Sequence, residues 1–151
     1  MKPHPFLIAC LISTSLLFQP ARATGDLTQQ EPKRLHVELS NAAGEKRFTP
    51  DTLQFETGTL TILTISNNSP KSYYFGSNGF ADSVYTRKVV VLGGDGQEPL
   101  AELYGPIRKV EVYPGQVLEW WFVPVRTGKF DDLTSRKSEA AMGMKGTIDI
   151  K

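Results

Sequence analysis

Short segments with the period of a β-strand recur along most of this chain, with turn residues between them. Alternating or β-branched and aromatic segments occupy residues 34–39, 52–56, 60–65, 88–92, 108–113, 117–123 and 146–150. Turns are indicated at residues 41–46, 67–70 and 93–96 and at Pro114-Gly115. No window of 11 or more residues has a helical period, and only residues 135–142 suggest one or two helical turns. This pattern predicts an all-β protein, a Greek-key β-sandwich or barrel.

The first 23 residues have the organisation of a secretory signal peptide. Lys2 gives a positive start, residues 6–18 are almost all apolar, and Ala21-Arg22-Ala23 has the form of a cleavage site. The apolar run is shorter than the ~20 residues of a transmembrane helix, and no later run is longer. We expect residues 1–23 to be removed, residues 24–33 to be a flexible lead-in and residues 34–151 to form the domain of a periplasmic or secreted protein.

A lipoprotein signal is the alternative for the same region. Leu7-Ile8-Ala9-Cys10 resembles a lipoprotein cleavage box. Cleavage there would leave an apolar tail on the mature chain and a very short apolar core before it, shorter than signal peptides usually have. The signal peptidase site after Ala23 is therefore preferred.

Cleavage after Ala23 determines which reactive side chains remain. It removes Cys10, the one cysteine, and His4, so that His36 is the one histidine of the mature chain. It also leaves 15 basic residues against 16 acidic ones, which gives no basic excess for nucleic acid. There is no histidine beside a nucleophile and no Gly-rich phosphate loop, so we do not expect an enzyme.

The order of motifs resembles that of the cupredoxin family, the plastocyanin and azurin type of domain. Residues 48–53 with Gly58 look like the first hairpin, and residues 112–116 followed by 120–122 look like the strand before the metal loop. Residues 142–148, Met-Gly-Met-Lys-Gly-Thr-Ile, look like the closing strand. The resemblance implies a cupredoxin fold from about residue 47 to residue 151.

The same resemblance identifies four candidate metal-ligand positions. The family holds copper with a histidine on a strand, then a cysteine, a histidine and a methionine spaced along one loop. Tyr73 stands at the first of these positions, and Thr134, Glu139 and Met144 follow Gly128 at the expected spacing. Three of the four ligands are thus replaced. Without a cysteine thiolate, a blue-copper (type 1) centre is excluded.

Three interpretations of these positions remain open. Tyr73, Thr134 and Glu139 supply hard oxygen donors that suit iron(III), and the family has precedent beside bacterial iron-uptake systems. Met142 and Met144 supply soft thioethers for copper(I), although alternate residues of a strand point to opposite faces. The third interpretation is a site without metal, in which these side chains only pack and hydrogen-bond.

Docking to another protein is the remaining hypothesis. Tyr73-Tyr74-Phe75 and Phe80 are expected to form an exposed apolar patch, by analogy with the family. Trp120-Trp121 places one indole in the core and the other outside. We therefore predict a monomeric envelope accessory protein that binds iron or copper at a remodelled site or docks to a redox or metal-transport partner. The alternative function is that of a copper-binding electron-transfer cupredoxin.

Overall fold

The protein consists of two sheets in which most neighbouring strands are antiparallel. The computed structural model describes Gly25, residues 30–93 and residues 98–151. The first sheet contains β1 (Lys33–Leu39), β2 (Phe48–Thr49), β4 (Thr61–Ser66), β6 (Val84–Leu92), β7 (Pro99–Leu103) and β9 (Val117–Pro124). The second contains β3 (Thr52–Phe55), β5 (Tyr73–Gly76), β8 (Lys109–Val112), β10 (Gly128–Thr134) and β11 (Lys145–Ile150). Two short helices, α1 (Asn78–Ala81) and α2 (Lys137–Ala141), lie between strands.

The strand order places β7 and β8 on the same open side of the molecule. The six-stranded sheet has the order β2-β1-β4-β9-β6-β7, and the five-stranded sheet has the order β3-β11-β10-β5-β8. Parallel pairs join β1 to β4 and β3 to β11, and the other pairs are antiparallel. β7 and β8 follow each other in the chain and end their respective sheets, so the sandwich is not closed between them.

Aromatic rings fill the space between the sheets. Phe55, Phe80 and Phe122 lie with ring centroids 5.0–5.5 Å apart, and Trp120 stands edge-on to Phe80 at 5.4 Å. All of these pairs are edge-to-face except Phe55–Phe80, whose rings are tilted by 32°. Aromatic pairs of this kind add about 0.5–1.5 kcal/mol each to the burial of their apolar surface. The all-β sandwich predicted by the strand pattern is confirmed.

Three elements differ from the sequence-based expectation. Residues 128–130, expected to begin a loop, lie in β10, and β7 and α1 were not anticipated. All five residues of β7 are exposed. Neither face of this strand is buried, so the strand does not need the alternation of apolar and polar residues by which a strand is recognised in a sequence. The helix α1 is only four residues long and depends on Ser77, whose hydroxyl accepts a hydrogen bond from the Phe80 amide.

The expected ends of the domain are partly within the described residues. Gln30 of the predicted lead-in is attached to the domain, because its side chain donates to Gly58 O at 2.9 Å and accepts from Leu60 N at 3.2 Å. β1 begins at Lys33, one residue before the predicted boundary. The predicted signal peptide lies outside the described residues, as does most of the turn predicted at residues 93–96. No helix in the described ranges is long and apolar enough to cross a membrane.

Candidate functional site

A buried asparagine fixes the strand that carries the first candidate ligand. Asn67 is fully buried, and its side-chain amide donates to Lys71 O and Val112 O, both at 2.8 Å. Its carbonyl oxygen accepts from the Ser69 amide at 3.0 Å. The turn predicted at residues 67–70 therefore joins the start of β5 to the end of β8. Tyr73 follows this turn and pairs with Val112.

Tyr73 and Met144 belong to the core. Tyr73 is 1% exposed and Met144 is fully buried, and both lie in the main apolar cluster. The Lys46 ammonium lies 5.9 Å from the centroid of the Tyr73 ring. Met142, by contrast, is 58% exposed, so the two candidate thioethers occupy opposite environments. A methionine that fills a core gap is the ordinary use of this flexible side chain.

Thr134 contributes a buried polar atom without a partner. It ends β10, where its backbone pairs with Gly76 on one side and Lys145 on the other. Its hydroxyl oxygen is buried and has no hydrogen-bond partner among the residues that the structure describes. A buried hydroxyl without a partner costs about 1–3 kcal/mol. A further ligand at this position would gain a contact with the Thr134 hydroxyl without breaking a hydrogen bond of that hydroxyl.

Glu139 has a full set of partners within its own loop. The carboxylate accepts hydrogen bonds from the Ser135 hydroxyl, from Arg136 N at 3.1 Å and from Arg136 Nη1 at 3.1 Å. Burial alone raises the pKa of this carboxyl, but the bonds from Ser135 and Arg136 together outweigh burial and lower it. Glu139 is thus an ionised carboxylate that caps the first turn of α2.

Backbone contacts bring the segments that carry these residues together. Thr134 pairs with β5, Tyr74 N donates to the Ser135 hydroxyl at 2.9 Å, and Met144 N donates to Glu139 O at 3.0 Å. The side chains have different surroundings, however. Tyr73 and Met144 pack in the core, while the carboxylate of Glu139 is bound to Arg136.

Arg136 is the centre of a polar cluster that sequence reasoning did not identify. Its guanidinium donates to Glu139 and to Glu111 Oε1 at 2.9 Å, and also to Ser72 O at 3.2 Å. Its central carbon lies 4.7 Å from the centroid of the Tyr74 ring. These partners come from the start of β5, from β8 and from α2.

Tyr74 and Glu111 complete this cluster. The Tyr74 hydroxyl donates to Glu111 Oε2 at 2.8 Å, and the Ser72 hydroxyl donates to Glu111 Oε1 at 2.9 Å. The bond to Glu111 is the largest of the effects that raise the pKa of Tyr74, so the phenol stays protonated. Bonds from Ser72 and Tyr74, and then the charge of Arg136, lower the pKa of Glu111. No sequence motif marks Glu111, which lies 25 residues before Arg136.

The residues present do not fit a blue-copper centre. The sequence has one cysteine, Cys10, in the predicted signal peptide. His36 lies on β1 of the opposite sheet, and its Nε2 is 2.7 Å from the Ser66 hydroxyl. In the described part of the chain, no three His, Cys, Asp or Glu side chains are grouped so that they could hold a metal ion. A thiolate and two imidazoles are what such a centre requires.

The prediction of an exposed apolar patch at β5 is wrong. Tyr73, Phe75 and Phe80 are at most 1% exposed because they face the other sheet. Trp120 is buried with its ring edge-on to Phe80, while Trp121 is partly exposed on the outer face, where the Lys88 ammonium lies 5.1 Å from its ring. The prediction of one inner and one outer indole is confirmed.

Exposed apolar residues concentrate instead around β7. Leu100, Leu103 and Tyr104 are 67%, 45% and 70% exposed. An open groove of about 250 Å³ lies between the sheets on this side. It is lined by Val89, Val91, Leu103, Ile107, Lys109, Val110, Glu111 and Leu118.

Solved copper proteins share this architecture. The chain is similar to the McoA multicopper oxidase of Aquifex aeolicus, with a TM-score of 0.60, 13% identity and 81% of this chain covered. It is similar to the copper-containing nitrite reductase of Thermus scotoductus, with a TM-score of 0.57, 13% identity and 82% covered. Auracyanin A, a blue copper protein of Chloroflexus aurantiacus, gives a TM-score of 0.50, 13% identity and 80% covered.

The three matches cover different shares of the other proteins. The chain spans 30% of the oxidase and 34% of the reductase, but the match to auracyanin A covers that protein completely. No family model and no curated protein matches the sequence. At this level of identity, the similarity shows the fold.

Proposed function

Because this chain has the cupredoxin fold without a blue-copper ligand set, we propose that it is an exported binding module that docks to an envelope redox or metal-uptake protein. The observation that carries this proposal is the satisfied carboxylate of Glu139, bound by Ser135 and Arg136. A metal ion at this position would have to replace bonds that already exist, one of them to a charged guanidinium. The burial of Met144 in the core further supports a site without metal.

The open side between β7 and β8 is the proposed docking surface. The groove there joins a second one of about 330 Å³, and the two share Val91, Glu111 and Leu118. Together they extend along β8 and its flanking residues, from Ile107 to Tyr113. At ~3.3 Å per residue, this stretch is roughly 20 Å long, the length of a strand of about six residues.

An extended segment of the partner is the occupant that fits this surface. Among the residues that the structure describes, β7 ends its sheet and pairs with β6 alone, so a partner strand can add to it through backbone hydrogen bonds. Alternate side chains of that strand would enter the apolar groove. Lys109 at the rim lies 5.4 Å from the Tyr74 ring and takes part in none of the ion pairs of the described residues, so an acidic residue of the partner would complement it.

Photocrosslinking tests the docking surface in the native cell. A photoreactive residue at Leu103 is expected to crosslink to one envelope protein, and the same residue at Val125, 61% exposed elsewhere, is not. Lys109→Glu should abolish the crosslink, because it reverses the charge at the rim. Equal crosslinking from both positions, or a crosslink unaffected by Lys109→Glu, would exclude this surface.

A remodelled iron site is the second candidate function, and the Thr134 hydroxyl without a partner favours it. The test compares the wild type with a Tyr73→Phe, Glu139→Gln, Met144→Leu triple variant in titrations with iron(III) and copper(I). The docking proposal expects no stoichiometric binding that depends on these residues. Tight binding that is lost in the triple variant would establish the metal site instead. No thiolate-to-copper absorption band is expected with copper(II).

A further inference from the structure

We infer that the guanidinium of Arg136 holds residues 135–144 against Ser72 and β8. Its positive charge occupies the position at which a metal ion would otherwise bind. The guanidinium joins this loop to Ser72 and to Glu111 of β8, in addition to the bond from Tyr74 N to the Ser135 hydroxyl. The inference concerns the loop alone and does not depend on what binds at the groove.

Oxygen atoms from three parts of the chain converge on this guanidinium. Nη1 donates to Glu139 Oε1 at 3.1 Å and to Ser72 O at 3.2 Å, and Nη2 donates to Glu111 Oε1 at 2.9 Å and to Ser72 Oγ at 3.4 Å. A guanidinium has five donors in a fixed plane, which allows it to join several acceptors at once. Lysine, with one charged nitrogen, cannot span the same set.

The face of the guanidinium is also occupied. Its central carbon lies 4.7 Å from the centroid of the Tyr74 ring. Tyr74 is itself fixed, because its hydroxyl donates to Glu111 and its amide donates to Ser135. Arg136 is therefore bounded by acceptors at its edge and by an aromatic ring on its face, an arrangement that favours a cation.

The contacts connect segments that are distant in sequence. Ser72 is 64 residues before Arg136 and Glu111 is 25 residues before it. The side chains of Glu111 and Glu139 are 25% and 11% exposed, while that of Arg136 is 42% exposed, so water screens these ion pairs in part. Loss of the guanidinium would remove the loop's contacts with Ser72 and Glu111 and leave it attached to β5 through the bond from Tyr74 N to the Ser135 hydroxyl.

Loss of the guanidinium would also leave a site for another cation. Glu111 and Glu139 both accept from this guanidinium, at 2.9 and 3.1 Å, so both carboxylates face the position that it occupies. The hydroxyls of Ser72 and Ser135 lie beside these carboxylates. Two carboxylates and two hydroxyls are hard oxygen ligands of the kind that bind lanthanide and calcium ions.

Hydrogen exchange tests the role in holding the loop. Arg136→Met keeps most of the side-chain volume and removes the charge, and Arg108→Met is the matched control, since Arg108 forms an exposed ion pair with Asp82 at 2.6 Å. We expect exchange of the amides of residues 137–144 to become about tenfold faster or more in Arg136→Met, since bonds to charged groups are lost. Equal exchange in the two variants would overturn the inference.

Terbium binding tests the role of the charge. Terbium(III) luminescence sensitised by Tyr74 should appear in Arg136→Met, disappear again in Arg136→Met with Glu111→Gln, and be absent in the wild type. Terbium binding to the wild type at the same site would show that Arg136 does not occupy the cation position. Failure of Arg136→Met to bind terbium would reduce Arg136 to a packing residue and would also overturn the inference.

Discussion

Two methionines only two positions apart have opposite roles in this protein. Met144 is fully buried in the core and Met142 is 58% exposed. Met144→Ala should therefore lower the free energy of unfolding by about 2–5 kcal/mol, as cavity-forming core substitutions do. Met142→Ala should change it by no more than ~0.5 kcal/mol. Urea denaturation of both variants measures the difference, and similar losses would mean that Met144 is not a core residue.

Acid should loosen the cluster around Arg136. The folded-state pKa values of Glu111 and Glu139 are lowered, so their stabilising contribution is present above the unfolded pKa of about 4.3. It is lost as the pH falls through the folded-state pKa values, because protonation removes the acceptor charges.

Urea midpoints measured between pH 3 and pH 6 check this expectation. The wild type should lose stability toward the acid end of the range, and Glu139→Gln should lose less of it. The control is Glu56→Gln, which removes an ion pair between exposed side chains. A steeper acid loss in Glu139→Gln than in the wild type would contradict the assignment.

Individual site residues were only partly predictable from the sequence. The spacing from Gly128 to Met144 came from the resemblance, and the residues that it selects lie on β10, on α2 and just before β11. It could not indicate Arg136, whose importance depends on Ser72 and Glu111, far away in sequence. Long-range partners of a charged side chain leave no periodic signal.

At the scale of elements, β11 depends on a glycine. A Cβ on Gly146 would lie 2.6 Å from Asp51 O and 2.7 Å from Leu133 Cδ2. Gly146→Ala should therefore destabilise the protein by roughly 1–3 kcal/mol through overpacking between β11 and its neighbours. Gly25→Ala is the control, since nothing lies within 4 Å of its Cβ. Thermal unfolding of both variants measures this, and equal midpoints would show that the strands can separate without cost.

The elements that sequence predicted well are those buried on one or both faces. β3 alternates exposed and buried residues as its sequence does, and β4 is buried almost throughout, as a central strand should be. β10 was missed because its Asp131-Asp132 pair is typical of a solvated turn, although a register shift before Leu133 places both residues at an irregularity of the strand. At such a bulge, one strand has extra residues relative to its partner, so the alternation of apolar and polar residues no longer follows the pairing of the strands.

For the whole molecule, folding should not depend on metal. The core cluster extends through both sheets, and Arg136 supplies the cation at the loop. A chelator should leave the thermal midpoint of the purified protein within ~2 °C, since ~1 kcal/mol shifts a domain of this size by a few degrees. Differential scanning calorimetry with and without chelator measures this, and a large fall would reveal a structural metal ion.

The adjacent indoles of Trp120 and Trp121 are intrinsic fluorophores in two different environments. Trp120 is 1% exposed among phenylalanine rings, while Trp121 lies on the outer face beside Lys88, with its ring nitrogen bonded to Glu119 at 2.9 Å. Their fluorescence should therefore differ in colour and in access to a dissolved quencher. A Trp121→Phe variant would emit only from between the sheets, so its emission would report separation of the sheets without a contribution from the surface.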